Sequence, residues 1–214
     1  MVHIYYHIYA IDAVESIIDE QLSLIKKHFD FPYILNVGIS IADENKSISN
    51  ILDILDKSKI RDVRAKGHEF VTLDLIQKDR EKFGDSDYIL YIHTKGASKQ
   101  NDVNFKNIIT WRHLMNYFNI ERAKNVFKLF EKTEFNTYGV LYSVSGNWKL
   151  YSGNFWWAKA SYLKTIEVGE VKRSRFNAEL KYIQNGKDWK PYSPYNREGE
   201  NHYVINFNET DYRQ

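Results

Sequence analysis

Asp87-Tyr88-Ile89-Leu90-Tyr91-Ile92-His93-Thr94-Lys95-Gly96 is the stretch on which the fold turns. Its β-branched and aromatic run reads as a buried strand, and it ends in His-Thr-Lys-Gly rather than in ordinary turn residues. In an α/β protein the carboxyl end of a central strand faces the ligand crevice. A histidine, a hydroxyl, a fixed cation and a glycine placed there suit a phosphorylated ligand. The alternative is a strand that simply stops at a polar turn.

Reading outward, the first half alternates strand and helix patterns. Val2 to Ala10 reads as a strand, and Asp12 can cap a helix running to about His28 with Val14, Ile17, Ile18, Leu22 and Ile25 on one face. Tyr33 to Ile41 is a second strand, Ser49 to Leu55 a short helix and Ile60 to Ala65 a third strand. Glu69 to Phe83 is a helix with Phe70, Leu73, Ile76 and Gln77 toward its buried side, ended by Gly84. Repeated β-α units imply an α/β fold, a mostly parallel central sheet flanked by helices. Ligands of such sheets sit beyond the strand carboxyl ends, which singles out Tyr9 to Asp12, Ser40 to Asn45 and His93 to Asn101.

The second half is less regular. Asn104 to Tyr117 and Ile120 to Lys132 read as consecutive helices, Tyr138 to Ser143 and Gly153 to Ala158 as strands. Arg175 to Ile183 reads as a helix and His202 to Phe207 as a last strand. No repeat or linker divides the chain, so one domain over 1–214 is expected, with a ligand-binding half over about 1–100.

At 214 residues the chain can bury a core without disulfides or metals, and it has no cysteine. A net charge of +2 with no long basic run argues against a nucleic-acid partner. No apolar run is long enough to cross a bilayer and Met1 to Tyr6 is unlike a signal peptide, so a cytoplasmic location is expected. Sixteen Tyr and five Trp are mostly core material, yet such rings also suit a polyhydroxylated ligand.

The standard phosphate signatures, GxxxxGK[ST] and GxGxxG, are missing, as are HExxH and GxSxG. One DxD triplet, Asp85-Ser86-Asp87, has the spacing that holds Mn²⁺ or Mg²⁺ on nucleotide diphosphates. It lies at the amino end of the strand, about 20 Å from the carboxyl end, and reads as a helix stop and strand start. The expected metal position holds His93-Thr94-Lys95, where a lysine can neutralise a leaving diphosphate. Three further pieces carry chemistry. Arg112, after Trp111, suits phosphate or a surface ion pair. Gly153-Asn154-Phe155-Trp156-Trp157 pairs a close-approach glycine with tryptophans on opposite faces. Arg175 and Glu179 lie one helical turn apart, either an ion pair or a carboxylate able to deprotonate an acceptor.

In this order, YYHIYAI at Tyr5–Ile11, YILYIHTKG at Tyr88–Gly96, the Trp111-Arg112 pair, YSGNFWWAKASYLKTI at Tyr151–Ile166 and RFNAE at Arg175–Glu179 resemble bacterial and large-virus glycosyltransferases of the GT-A fold. The set is similar also to the N-terminal glycosyltransferase domain of the chlorovirus enzyme that builds capsid glycans. The resemblance implies a GT-A-like (Rossmann-like) fold and transfer from a nucleotide-sugar donor, UDP-linked, to a hydroxyl of a carbohydrate acceptor. It implies donor contacts from Tyr9, Ala10, His93, Thr94, Lys95 and Arg112. It implies sugar or acceptor contacts from Gly153, Asn154, Phe155 and Trp156, with Glu179, Lys95 and Arg175 in catalysis. The chain departs from GT-A enzymes in having no DxD where the metal sits, so a Mn²⁺ cofactor is left open: either the enzyme works without a divalent ion, or the ion is held by His93, His202 or carboxylates that the sequence does not place. A non-catalytic carbohydrate-binding module is the other reading of the aromatics.

Overall fold

The computed structural model describes every residue except 12, 13, 43–47, 146, 147, 168–174, 181 and 214, along with the side chains of 145, 148, 175, 176 and 180. The expected helix cap Asp12 therefore lies outside the described residues. Strand β1 (Val2–Ala10) is followed by helix α1 (Glu15–His28), β2 (Tyr33–Ile41), α2 (Ser49–Ile54), β3 (Ile60–Ala65), α3 (Phe70–Asp79) and β4 (Tyr88–His93). These match the alternating pattern closely. The helix before β4 is shorter than expected, giving way at Arg80 to a 3₁₀ turn over Arg80–Lys82.

Helices α4 (Phe105–Asn116) and α5 (Ala123–Lys132) are joined by a π turn over Tyr117–Glu121. Then come β5 (Thr137–Gly139), β6 (Tyr142–Ser145), β7 (Trp148–Tyr151), β8 (Trp156–Lys159), α6 (Ala160–Leu163), α7 (Arg175–Leu180) and β9 (Pro191–Tyr192). Among the described residues the main sheet has seven strands in the order β3-β2-β1-β4-β8-β5-β9, and β6 pairs with β7 in a separate hairpin. Only β8 runs against its neighbours, antiparallel to both β4 and β5. The fold is thus α/β with a mostly parallel central sheet flanked by helices.

From β1 the chain builds outward to β2 and β3 on one side, then returns to lay β4 against the other side of β1. That reversal opens a crevice beyond the carboxyl ends of β1 and β4. Side-chain alternation splits the core into two layers. Tyr6, Ile8, Leu90, Ile92 and Trp157 pack on one face of the sheet. Tyr5, Ile89, Tyr91 and Trp156 pack with Phe70, Leu73 and Ile76 of α3 on the other. Among the described residues no helix is long and apolar enough to cross a membrane.

The second half departs from the sequence reading in four places. The strand expected over Tyr138 to Ser143 is two, because Leu141 turns the chain at a φ of 56°. The strand expected from Gly153 begins at Trp156, after a turn in which Gly153 and Asn154 both have positive φ. Helix α7, described over Arg175–Leu180, does not run on to Ile183, where a 3₁₀ turn over Ile183–Asn185 begins. His202 to Phe207 forms turn and irregular backbone, and the last strand is instead the two-residue β9.

Candidate functional site

The turn after β4 is stitched to β1 by two hydrogen bonds. Thr94 N–H donates to the His7 carbonyl at 3.1 Å, and Thr94 Oγ1 accepts from Tyr9 N–H at 3.0 Å. Gly96 sits at a φ of 90°, and a Cβ there would lie 2.9 Å from Ile108 Cγ2. Glycine is thus required by both backbone and space.

The turn is also held from beneath. Gln21 Nε2 donates to the His93 carbonyl at 3.2 Å, and Arg112 Nη1 donates to the Lys95 carbonyl at 3.1 Å. Arg112 Nε and Nη2 donate to the two oxygens of Glu20 at 3.1 and 2.8 Å. Asn116 Nδ2 donates to Glu20 as well, at 2.7 Å. Burial alone would raise the Glu20 carboxyl, but hydrogen bonds and charge from His113 and Arg112 outweigh it and lower its pKa to about 2. Arg112, expected to reach the donor, is buried with its guanidinium turned to Glu20 and to the Lys95 backbone. Its partner is contributed by α1, which local sequence does not show.

Lys95 is only 7 % exposed. Its Nζ lies 3.9 Å from the centre of the Trp111 ring and 5.4 Å from that of Tyr203. Among the described residues no carboxylate lies within ion-pair distance of it. Desolvated cation–π contacts are worth about 2 kcal/mol, much less than a buried charge needs, so the ammonium is suited to an anion from outside. Beside it, His202 Nε2 donates to the Arg197 carbonyl at 3.1 Å, which leaves Nδ1 to accept from the Ser152 hydroxyl at 2.8 Å. Burial, with the Lys95 charge also acting downward, lowers the His202 pKa. A neutral histidine thus stands near the ammonium without adding a second positive charge.

Opposite Lys95 stands the Gly153-Asn154 turn. A Cβ on Gly153, at a φ of 91°, would come 2.5 Å from Met115 Sδ. Glu179 accepts the Gly153 N–H at 2.8 Å, and the Gly153 carbonyl accepts from His93 Nε2 at 2.8 Å. That bond fixes a proton on Nε2 of His93. Asn154 Nδ2 donates to Glu69 Oε2, which also accepts from Tyr91 Oη at 2.9 Å. Glu69, Lys95, His93, Asn154, Glu179 and Tyr203 line a cleft of about 400 Å³. A smaller pocket of about 130 Å³, lined by His7, Tyr9, His68, Thr94, Gly96 and Ser98, opens from it and shares Glu69, His93 and Lys95.

The expected site residues divide. Tyr9, His93, Thr94, Lys95, Gly153, Asn154 and Glu179 line these cavities. Ala10 is buried, its carbonyl bonded to Ala42 N–H. Phe155 and Trp156, expected to touch the sugar or acceptor, are core residues with at most 1 % exposure. Phe155 sets its ring against His93 at 5.1 Å, while Trp156 stacks on Tyr91 at 5.2 Å and donates Nε1–H to Asn154 Oδ1. Both shape the wall from behind. The side chain of Arg175 lies outside the described residues. Asp85 and Asp87 lie at the far end of β4, with Asp85 paired to Lys164 at 2.6 Å.

Glu69 and Tyr203 were missed by the sequence reading. The rule that ligands sit beyond strand carboxyl ends applies to the β3–α3 loop as much as to the others, and that loop carries Glu69. Its backbone is unusual, with Lys66 and His68 both at positive φ. Among the described residues no group of three or more histidine or acidic side chains is placed to hold a metal ion. Both nitrogens of His202 are already engaged by protein atoms.

The sequence pattern of one family, described as "Domain of unknown function (DUF8361)", matches residues 3–202. The chain belongs to that family. No curated protein matches the DUF8361 chain. Among solved structures it is similar to the crystal structure of 4-diphosphocytidyl-2C-methyl-D-erythritol synthase, at 10 % identity over 99 % of this chain and 96 % of that one, with a TM-score of 0.44. It is similar also to the 4-diphosphocytidyl-2C-methyl-D-erythritol synthase of Anaerococcus prevotii, at 11 % identity over 99 % and 92 % of the two chains, with a TM-score of 0.38. At these scores neither likeness bears on the chemistry of DUF8361.

Proposed function

We propose that this DUF8361 chain is a glycosyltransferase that moves a sugar from a UDP-linked donor to a hydroxyl of a carbohydrate acceptor. The observation that carries the reading is Lys95, a buried ammonium caged by aromatic rings at the strand-order reversal, with no carboxylate within ion-pair distance among the described residues. In this reading the anomeric carbon–oxygen bond of the donor breaks and its electron pair leaves on the diphosphate. The Lys95 charge stabilises that developing anion in a site already organised to receive it. The acceptor hydroxyl attacks from the larger cleft, whose polar lining of Asn154, Glu179 and Asn104 suits a sugar. A module that only held neutral glycans would have no use for a desolvated cation.

The test is a thermal-shift panel of UDP, GDP, CMP and free sugars, followed by product analysis with UDP-sugars. Ligand that binds the native state raises the melting temperature by mass action. A UDP-selective shift with glycoside product is expected. No response to any nucleotide, together with no product, rejects the reading. Running the panel with Mn²⁺ and with EDTA decides whether the site works on Lys95 alone.

A further inference from the structure

We infer that Glu69, rather than Glu179, is the carboxylate that takes the proton of the acceptor hydroxyl; this rests on the glycosyltransferase reading above. Two cavities meet beyond β4, and among the described residues Glu69, His93 and Lys95 line both. A group-transfer reaction needs the donor's leaving group and the acceptor's nucleophile at one point, and this junction is where they can meet. Lys95 supplies the positive charge there and Glu69 the carboxylate. Glu179 lines the larger cleft but not the smaller one, and one of its oxygens accepts the Gly153 N–H at 2.8 Å.

The surroundings of Glu69 fit the task. Burial, reinforced by the charge of Glu69 and its hydrogen bond, raises the Tyr91 phenol well above its ordinary value, so Tyr91 stays protonated and donates to the carboxylate at 2.9 Å. Asn154, fixed at a φ of 57°, donates to the same oxygen. Tyr91 and Asn154, which cannot themselves remove a proton, thus orient the carboxylate through Oε2. The step balances. The acceptor O–H gives its proton to Glu69, its oxygen bonds the anomeric carbon, and the carbon–phosphate oxygen bond breaks with its electron pair leaving on the diphosphate beside Lys95. Glu69 then returns the proton to water. Glu179 is left as a positioning residue that holds the Gly153 turn on the acceptor side.

The experiment compares Glu69→Gln, Glu69→Ala and Glu179→Gln in the whole chain, reading UDP thermal shift, kcat and acceptor KM. Glu69→Gln is expected to lower kcat by about 10²–10⁴-fold, the usual range for a general base, with the UDP shift retained. Formate is expected to restore part of the turnover of Glu69→Ala, and Glu179→Gln is expected to raise acceptor KM more than it lowers kcat. The inference is overturned if Glu69→Gln keeps more than a tenth of wild-type kcat, if it loses the UDP shift, or if a sugar adduct forms on Glu69. Absence of transfer by the wild-type chain with every nucleotide-sugar rejects the glycosyltransferase reading instead, so the two failures are told apart.

Discussion

The two ends of β4 carry charged residues of similar density, and the structure treats them in opposite ways. At the amino end Asp87 Oδ2 accepts from Gly84 N–H at 2.8 Å and lies 3.2 Å from His3 Nε2, while its Oδ1 is 2.8 Å from the Met1 amino group. Asp85 next to it pairs with Lys164. Those carboxylates close the strand's start against the protein itself. At the carboxyl end the Lys95 ammonium lies over the Trp111 and Tyr203 rings with no carboxylate within ion-pair distance among the described residues, while Glu20 is bound to Arg112 beneath the turn. Charge answered from within is architecture. Charge desolvated and not answered by a described carboxylate is a candidate site, and sequence alone displays both as the same polar residues flanking a strand.

The strongest way to break this contrast is Lys95→Met, which keeps the length of the side chain and its packing on Trp111 but removes the charge. Transfer is expected to fall by about 10²–10³-fold, the cost of losing one pre-organised electrostatic contact. The UDP thermal shift is expected to shrink with it, while the melting temperature of the unliganded protein stays within a few degrees of wild type. A variant that transfers normally removes Lys95 from the mechanism and makes the two ends of β4 equivalent.

The parallel half of the sheet was legible because its signals are local. Alternating burial, helix-period apolar residues and loop breakers place β1 to β4 within a residue or two of their observed bounds. Beyond α5 the elements are shorter than the patterns used to find them. β9 has two residues, and Leu141 divides a run of strand formers by adopting a left-handed backbone that its side chain does not announce. The site shows the same split. His93, Thr94 and Lys95 follow from strand position alone. Arg112 does not, since its partner Glu20 comes from α1. Nor do Phe155 and Trp156, because ring-rich composition cannot say which rings Tyr91 and His93 will cover. Glu69 follows β3, the edge strand of the sheet, and its place in the site shows only in its hydrogen bonds to Tyr91 and Asn154, which no local pattern predicts.

The support beneath the turn offers a second test, read by pH. The folded pKa of Glu20, about 2, lies below its ordinary value of 4.5. A depressed carboxylate contributes stability that is fully present above the unfolded pKa and is lost as pH falls through the folded one. The contribution therefore fades between about pH 4.5 and 2. A shift of that size caps it at about 3 kcal/mol, and solvent screening lowers the expectation to about 1–2 kcal/mol. Glu20→Gln is expected to melt lower than wild type at pH 7 and to show a flatter fall in melting temperature as pH drops below 4.5. Because Arg112 carries the Lys95 carbonyl, UDP affinity should weaken severalfold in the same variant. Parallel melting curves for the two proteins across acid pH would detach Glu20 from the support of the turn.

The smallest effect is expected at the other end of the strand. Asp87→Asn keeps an oxygen to accept the Gly84 N–H and loses the charge facing His3, a change worth about 1 kcal/mol or less for a pair near the surface. In a chain of this size that is about 2–4 °C in melting temperature. Turnover, acceptor KM and the response to Mn²⁺ should match wild type, because Asp87 lies a strand's length from Lys95. This is also the most direct test of the DxD triplet. If its aspartates held a metal on the donor, Asp87→Asn would cost far more in turnover than in stability, and added Mn²⁺ would raise the rate of wild type but not of the variant. That outcome would move the site to the amino end of β4 and reverse the contrast between its two ends. Loss of stability without loss of turnover keeps the aspartates as the clasp that starts the strand and leaves the chemistry to be sought at its other end.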